Sequence, residues 1–184
     1  MVFTPDLAIT SQRVMTSNGE RPAAILIRGE KILDVVSKQQ IPSDCPVEDM
    51  ANDVVMPGLV DTHVHINEPG RTDWEGFETA TKAAAAGGIT TLVDMPLNCI
   101  PVTTTIDALN QKIAATKNQL WIDCGFYGGL IPDNIHDFES LADAGVLGFK
   151  AFLSHSGIDE FPNILESHLR EALPILSKKG IPIL

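Results

Sequence analysis

Two histidines one residue apart can hold a single cation when both stand on the same face of an extended strand. His63 and His65 form such a pair in Asp61-Thr62-His63-Val64-His65. Side chains alternate along a strand, so Leu59, Asp61, His63 and His65 share one face and Val60, Thr62 and Val64 the other. Imidazole suits zinc, cobalt, nickel and iron. Asp61, one step behind on the same face, could orient a ligating ring. An isolated His-x-His is more often incidental than ligating, but its surroundings strengthen this one. Pro57-Gly58 turns the chain into the apolar strand, Pro69-Gly70 follows the histidines, and a helix pattern comes next. The pair therefore stands where a strand hands over to a loop, the end that carries catalysis in α/β barrels.

Lys150 is the second candidate. Residues 146–153 (Val146-Leu147-Gly148-Phe149-Lys150-Ala151-Phe152-Leu153) read as a strand with Lys150 on the face of Gly148 and Phe152. An ammonium inside an apolar strand is costly unless paired, and a lysine at a strand end can instead reach solvent along its apolar stem. The residues alone favour that plainer reading. Asn67 and Asn98 each follow a predicted strand, where an amide could meet a ligand or serve a turn. Asp94 ends a strand and is expected to support the site through a hydrogen bond. His136 and His168 fall on helix patterns and read as structural, and His155 reads as a loop residue. Gly87-Gly88 and Gly128-Gly129 lack phosphate-loop spacing, and no Ser-His-Asp or Cys-His arrangement stands out.

The elements that must position these groups follow from periodicity. Residues 1–55 read as strands, with 23–27 and 31–36 joined by a hairpin turn at Arg28-Gly29-Glu30. Val54-Val55-Met56 is expected to enter the next region, in which strands and helices alternate and imply a parallel sheet wrapped by helices. Thr72-Asp73-Trp74-Glu75 has the form of a capping box for a helix running through Phe77, Ala80 and Ala84 to Gly87-Gly88. Strands are predicted over 89–94, 120–126 and 146–153, and another begins at 181–184. Between them, Thr103 to Thr105 can cap a helix with Ile106, Leu109 and Ile113 at helical spacing. A short helix carries Phe138, Leu141 and Ala142. Pro174 is expected to kink or break the helix that contains it.

With 184 residues, 44% hydrophobic and 20% charged, the chain has the composition of an ordinary globular protein. A net charge of −11 argues against nucleic-acid or anionic-membrane partners, which call for clustered Lys and Arg. Three cysteines imply no disulfide framework. No signal-peptide pattern or bilayer-length apolar run is visible, so the expected setting is the cytoplasm.

Asp-x-His-x-His behind a Pro-Gly turn resembles the cyclic amidohydrolases, which comprise dihydroorotases, hydantoinases (dihydropyrimidinases) and allantoinases. Asn67-Glu68-Pro69-Gly70-Arg71-Thr72 and Trp74-Glu75-Gly76-Phe77-Glu78 resemble the allantoinase branch. So do Asp94-Met95-Pro96-Leu97-Asn98 and Gly148-Phe149-Lys150-Ala151-Phe152-Leu153. The likeness runs through residues 54–184 and is faint over 1–53. It implies an α/β fold: residues 56–184 as the N-terminal half of a metal-dependent (β/α)8 TIM barrel, behind residues 1–55 as part of a small β-sandwich.

The resemblance also implies a chemistry. Allantoin would be hydrolysed at its cyclic amide to allantoate, with two divalent metal ions, zinc first among them, and His63, His65 and Lys150 as ligands. Lys150 would react with carbon dioxide to give a carbamate. That is coherent physically, since burial favours the neutral amine, which alone attacks carbon dioxide. Asn67 and Asn98 would meet the substrate. Dihydroorotases carry Arg at the place of Asn67, where it pairs with a carboxylate that allantoin lacks. Two departures are plain: Leu97 intervenes between Pro96 and Asn98, and His155 stands where hydantoinases have Tyr. Two further histidines and the aspartate that serves as general base would lie beyond Leu184. The expectation is therefore that these 184 residues alone are neither a stable monomer nor an active enzyme, and that a full-length protein is a homo-oligomer. The alternatives are another cyclic amidohydrolase or a non-catalytic hydantoinase-like assembly protein. Intact His63, His65 and Lys150 weigh against the latter.

Overall fold

Turn chemistry and alternation build the first of two units into which the chain divides after Pro57. The computed structural model describes residues 4–184. Strands β1 (Leu7–Thr16), β2 (Gly19–Arg28) and β3 (Lys31–Val36) form an antiparallel meander. The predicted hairpin turn is present, with Gly29 at φ 55°, a left-handed value that glycine adopts at little cost. Strands β4 (Val47–Asp49) and β5 (Val54–Val55) both run parallel to β1. Ala8, Leu26 and Cys45 form the small core, with Val36 and Ile41 against it. Val54-Val55 thus does not lead into the next region as expected. It pairs with Arg13 and Val14 of β1, and the first strand beyond begins at Leu59.

The second unit alternates strand and helix. In order come β6 (Leu59–Val64), α1 (Phe77–Ala86), β7 (Ile89–Asp94) and α2 (Ile106–Ala115). Then follow β8 (Asp123–Phe126), β9 (Gly128–Gly129), α3 (Phe138–Asp143), β10 (Phe149–Lys150) and α4 (Glu166–Lys179). Strands β6, β7 and β8 pair in parallel, as do β9 and β10. β8 and β9 are one extended segment divided at Tyr127, whose N–H bonds to Asp94 O at 2.9 Å. Beyond β10, residues 181–184 add another parallel segment: Phe149 N–H donates to Pro182 O and Leu184 N–H to Phe149 O.

Local bonding explains where the predicted elements differ. The strand expected over 120–126 is shorter because Trp121 N–H bonds the Thr81 hydroxyl of α1 at 3.2 Å, not a neighbouring strand. Thr72 and Glu75 do not cap α1. Gly76 precedes the helix, and the Glu68 carboxylate accepts the Phe77 N–H at 2.9 Å. An acid there also complements the positive end of the helix dipole. Thr105 caps α2 as predicted, accepting from Ala108 N–H. The buried face of α2 is displaced from the expected one: Ala108, Leu109 and Lys112 are buried while Ile113 is exposed. Helix α4 continues through Pro174, held by buried Ala172 and Leu176 on either side of it.

The main core lies where α2, α3 and α4 cover β10. It includes Leu109, Leu130, Phe138, Leu141, Phe149 and Leu176, with Phe138 and Phe149 stacked at 4.2 Å between centroids. β6 is packed less: Leu59 and Val60 are 51% and 60% exposed. Among the described residues no helix is long and apolar enough to cross a membrane.

Candidate metal centre

Asp61 and His63 lie in the C-terminal half of β6 and His65 directly follows its last residue, Val64; the pairing with β7 is irregular between Asp61 and Val64. The imidazole centroids of His63 and His65 are 5.5 Å apart and the rings are tilted by 43°. Asp61 does not orient a ring. Its carboxylate accepts the backbone N–H of His63 at 3.0 Å, closing a local turn that fixes the main chain instead.

The ring of His65 is set by the segment that follows β7. Its Nδ1 lies 2.7 Å from Leu97 O. A carbonyl only accepts, so Nδ1 carries a proton; in the neutral imidazole this tautomer leaves the lone pair on Nε2, the state a metal ligand requires. The backbone on either side is held as well. Met95 N–H donates to Val64 O at 2.7 Å, and Ile66 N–H donates to an oxygen of Asp94 at 2.6 Å. The other Asp94 oxygen accepts from Lys112 Nζ at 2.6 Å, and the same ammonium donates to Met95 O at 2.9 Å. Both side chains of this ion pair are fully buried. Burial pushes the Asp94 carboxyl above the usual carboxylate range, while the charge and hydrogen bond of Lys112 pull against it. The sequence reading gave Asp94 its supporting hydrogen bond but missed Lys112. The available signal was its spacing, since it follows Ala108 and Leu109 by four and three residues on the buried stripe.

The loop after β6 folds on itself before α1. Asn67 N–H donates to Glu75 O and Arg71 N–H to Asn67 O. Arg71 then crosses to the loop after β7, donating to Asn98 O at 2.8 Å, and its guanidinium stacks 5.0 Å from the centroid of Trp74. It also approaches Glu160 at 3.4 Å. Ile100 N–H bonds Pro69 O at 2.8 Å. Gly70, at φ 90°, permits this contact, because a Cβ there would lie 2.5 Å from Ile100 O. Asn67 and Asn98 thus stand on two loops stitched to each other. Asn67 is only 9% exposed. Among the described residues neither side-chain amide has a hydrogen-bond partner.

Lys150 is at the C-terminal end of β10, in register with Gly129 of β9. It is half-buried, its ammonium is 4.8 Å from the centroid of Phe152, and among the described residues it forms no ion pair. The structure therefore brings His63 and His65 together and places Lys150 at the same end of the parallel run, on a different strand. Among the described residues no group of three or more His, Cys, Asp or Glu could hold a metal. The donors that fit a divalent cation are the two imidazoles, one of them held by Leu97 O at Nδ1; the ammonium of Lys150 is itself a cation and no lone-pair donor in that form. The other histidines stay apart. His136 is exposed beside Asp137, His155 Nδ1 accepts from Gly157 N–H, and His168 Nδ1 accepts from Leu165 N–H at the start of α4.

A parallel strand–helix unit with a histidine pair at a strand end defines a class that comparison with known proteins makes explicit. Residues 54–158 match the amidohydrolase family, and the chain belongs to that family. It is 53% identical over 176 residues to the allantoinase of Streptomyces avermitilis, covering 95% of this chain and 40% of that relative. The allantoinase of Saccharomyces cerevisiae is 45% identical, with 95% and 40% covered. Among solved structures, L-hydantoinase from Arthrobacter aurescens superposes with a TM-score of 0.89 at 31% identity, covering 98% of this chain and 40% of that one. The chain thus spans about two fifths of the length of the relatives it matches.

Proposed function

We propose that this chain supplies the first metal-binding strands of an enzyme that hydrolyses the cyclic amide of allantoin to allantoate. The observation that carries the reading is the His65–Leu97 contact, which presents an imidazole lone pair beside His63 at a strand end. The likeness to allantoinases at 45–53% identity points to the substrate. In this reading the second unit is the N-terminal half of a closed (β/α)8 barrel, and the first unit belongs to a small β-sandwich. His63, His65 and a Lys150 carboxylated by carbon dioxide would hold two divalent ions, zinc first among candidates. When bound, such ions polarise a carbonyl and lower the pKa of water.

The chain's own residues prepare that chemistry. Leu97 O fixes the tautomer of His65, and Arg71 keeps the two loops of the mouth together. Lys150, which forms no ion pair among the described residues, is the amine that would be carboxylated. Asn67 and Asn98 would meet the ureido and ring amides of the substrate. Water adds across the ring amide, its C–N bond breaks, and a carboxylate and an N–H result. Asn67 offers no positive charge to a substrate carboxylate, which separates allantoin from dihydroorotate. A cytoplasmic homo-oligomer acting on a small molecule, without nucleic-acid or membrane partners, completes the proposal.

The test is a chimera in which this segment replaces the matching part of the Streptomyces avermitilis relative. It should open allantoin faster than dihydroorotate, and substitution of His65 or Lys150 by alanine should abolish turnover. The reverse substrate order, or full turnover without Lys150, would overturn the reading.

A further inference from the structure

We infer that the buried Asp94–Lys112 pair is a positioning unit for His65, acting from a helix on a ligand that neither residue touches through a metal. The inference rests on the metal-binding reading of His63 and His65. Its basis is the way residues 94–97 hold the histidine. Asp94, Met95 and Leu97 reach Ile66 N–H, Val64 O and His65 Nδ1 respectively, at 2.6, 2.7 and 2.7 Å. The backbone on both sides of His65 and its ring are therefore fixed by the same short segment. Lys112 is what sets that segment. Its ammonium bridges Asp94 Oδ2 and Met95 O, and its side chain has no exposure to solvent. The lysine thus joins α2 to the end of β7, and β7 to the end of β6.

The direction of each bond gives the unit its specificity. The carboxylate must offer one oxygen to Ile66 N–H and the other to the ammonium, so its plane is fixed by two donors from different elements. Without Lys112 the carboxylate would be buried with the Ile66 N–H as its remaining donor, and a buried carboxylate in that state takes up a proton or swings toward solvent. Either change loosens Ile66, and with it the ring held against Leu97 O. Partners that orient a ligating histidine in this way typically alter metal affinity by about 10–100-fold when removed.

The experiment uses the chimera described above with cobalt(II) as the probe, read by its visible absorption, and the 15N shifts of the His65 ring without metal. Lys112→Met should weaken cobalt binding about tenfold or more and mix the two tautomers of His65, which are set to Nδ1–H in the unsubstituted chain. The double variant Asp94→Asn, Lys112→Met keeps an acceptor for Ile66 N–H with no buried charge, and should recover most of both signals. If Lys112→Met does not fold, the double variant and Asp94→Asn carry the same comparison. Binding lost in His65→Ala but unchanged within about twofold in Lys112→Met and Asp94→Asn, with the tautomer intact, would overturn the positioning role alone. Cobalt binding indifferent to His65→Ala would overturn the metal reading and this inference together.

Discussion

Two lysines near the C-terminal ends of the parallel strands live in opposite surroundings. Around Lys112 every charge is answered: Asp94 and Met95 O accept hydrogen bonds from its ammonium, and Asp94 in turn holds Ile66. Around Lys150 the ammonium faces an aromatic ring at 4.8 Å and, among the described residues, no carboxylate. The first environment orders neighbouring groups at the cost of desolvating two charges. The second commits the side chain to no ion pair among the described residues and leaves it against a single aromatic ring. The contrast separates lysines that build the site from the lysine that would react in it.

Stability measurements can break that contrast. Lys112→Met should cost about 3–5 kcal/mol, because it strands a buried carboxylate, read as a shift in the urea midpoint with unchanged slope. Glu68→Ala removes the acceptor of the Phe77 N–H and should cost about 1 kcal/mol, in the range of a lost helix cap. Lys150→Met should change stability by less than about 1 kcal/mol, the scale of its single contact with the ring of Phe152, while abolishing allantoin turnover in the chimera. A Lys150 variant as destabilised as Lys112→Met would erase the distinction between the two sites. A fourth measurement sharpens it. A 13C-bicarbonate carbamate resonance should appear in zinc-loaded chimera, persist in Glu68→Ala, and vanish in Lys150→Met.

The fold was legible wherever periodicity and turn chemistry are local. The 89–94 strand, the stop of α1 at Gly87 and the Thr105 cap each follow from residues within a few positions. What escaped was non-local. Glu68 reaches across nine residues to displace the Thr72–Glu75 capping box. Trp121 gives its N–H to a hydroxyl forty residues earlier, which shortens β8. The histidine pair was readable as neighbours, and the rings do lie 5.5 Å apart, although the strand pairing is irregular between Asp61 and Val64. The third polar group on the predicted face was misassigned, since Asp61 serves the backbone and a carbonyl from another loop serves the ring. Lys112 was hidden for a related reason: a charged residue on an apolar stripe reads as a helix edge until its partner, eighteen residues away, is known.

Gly128 and Gly129 carry a consequence for reading natural variants. They stand in register with Phe149 and Lys150, and the space a side chain would fill is already taken. A Cβ on Gly128 would lie 2.9 Å from the ring of Phe149, and one on Gly129 would lie 2.4 Å from the ring of Phe161. At Gly128 such a methyl would push on Phe149, in the strand that bears Lys150. At Gly129 it would push on Phe161, whose ring packs edge-on against Phe152, the ring beneath the Lys150 ammonium. An alanine at either position would look harmless by its chemistry, yet it would disturb the surroundings of that lysine. In a survey of alleles, those are the silent-looking changes that should be scored with the ligands themselves.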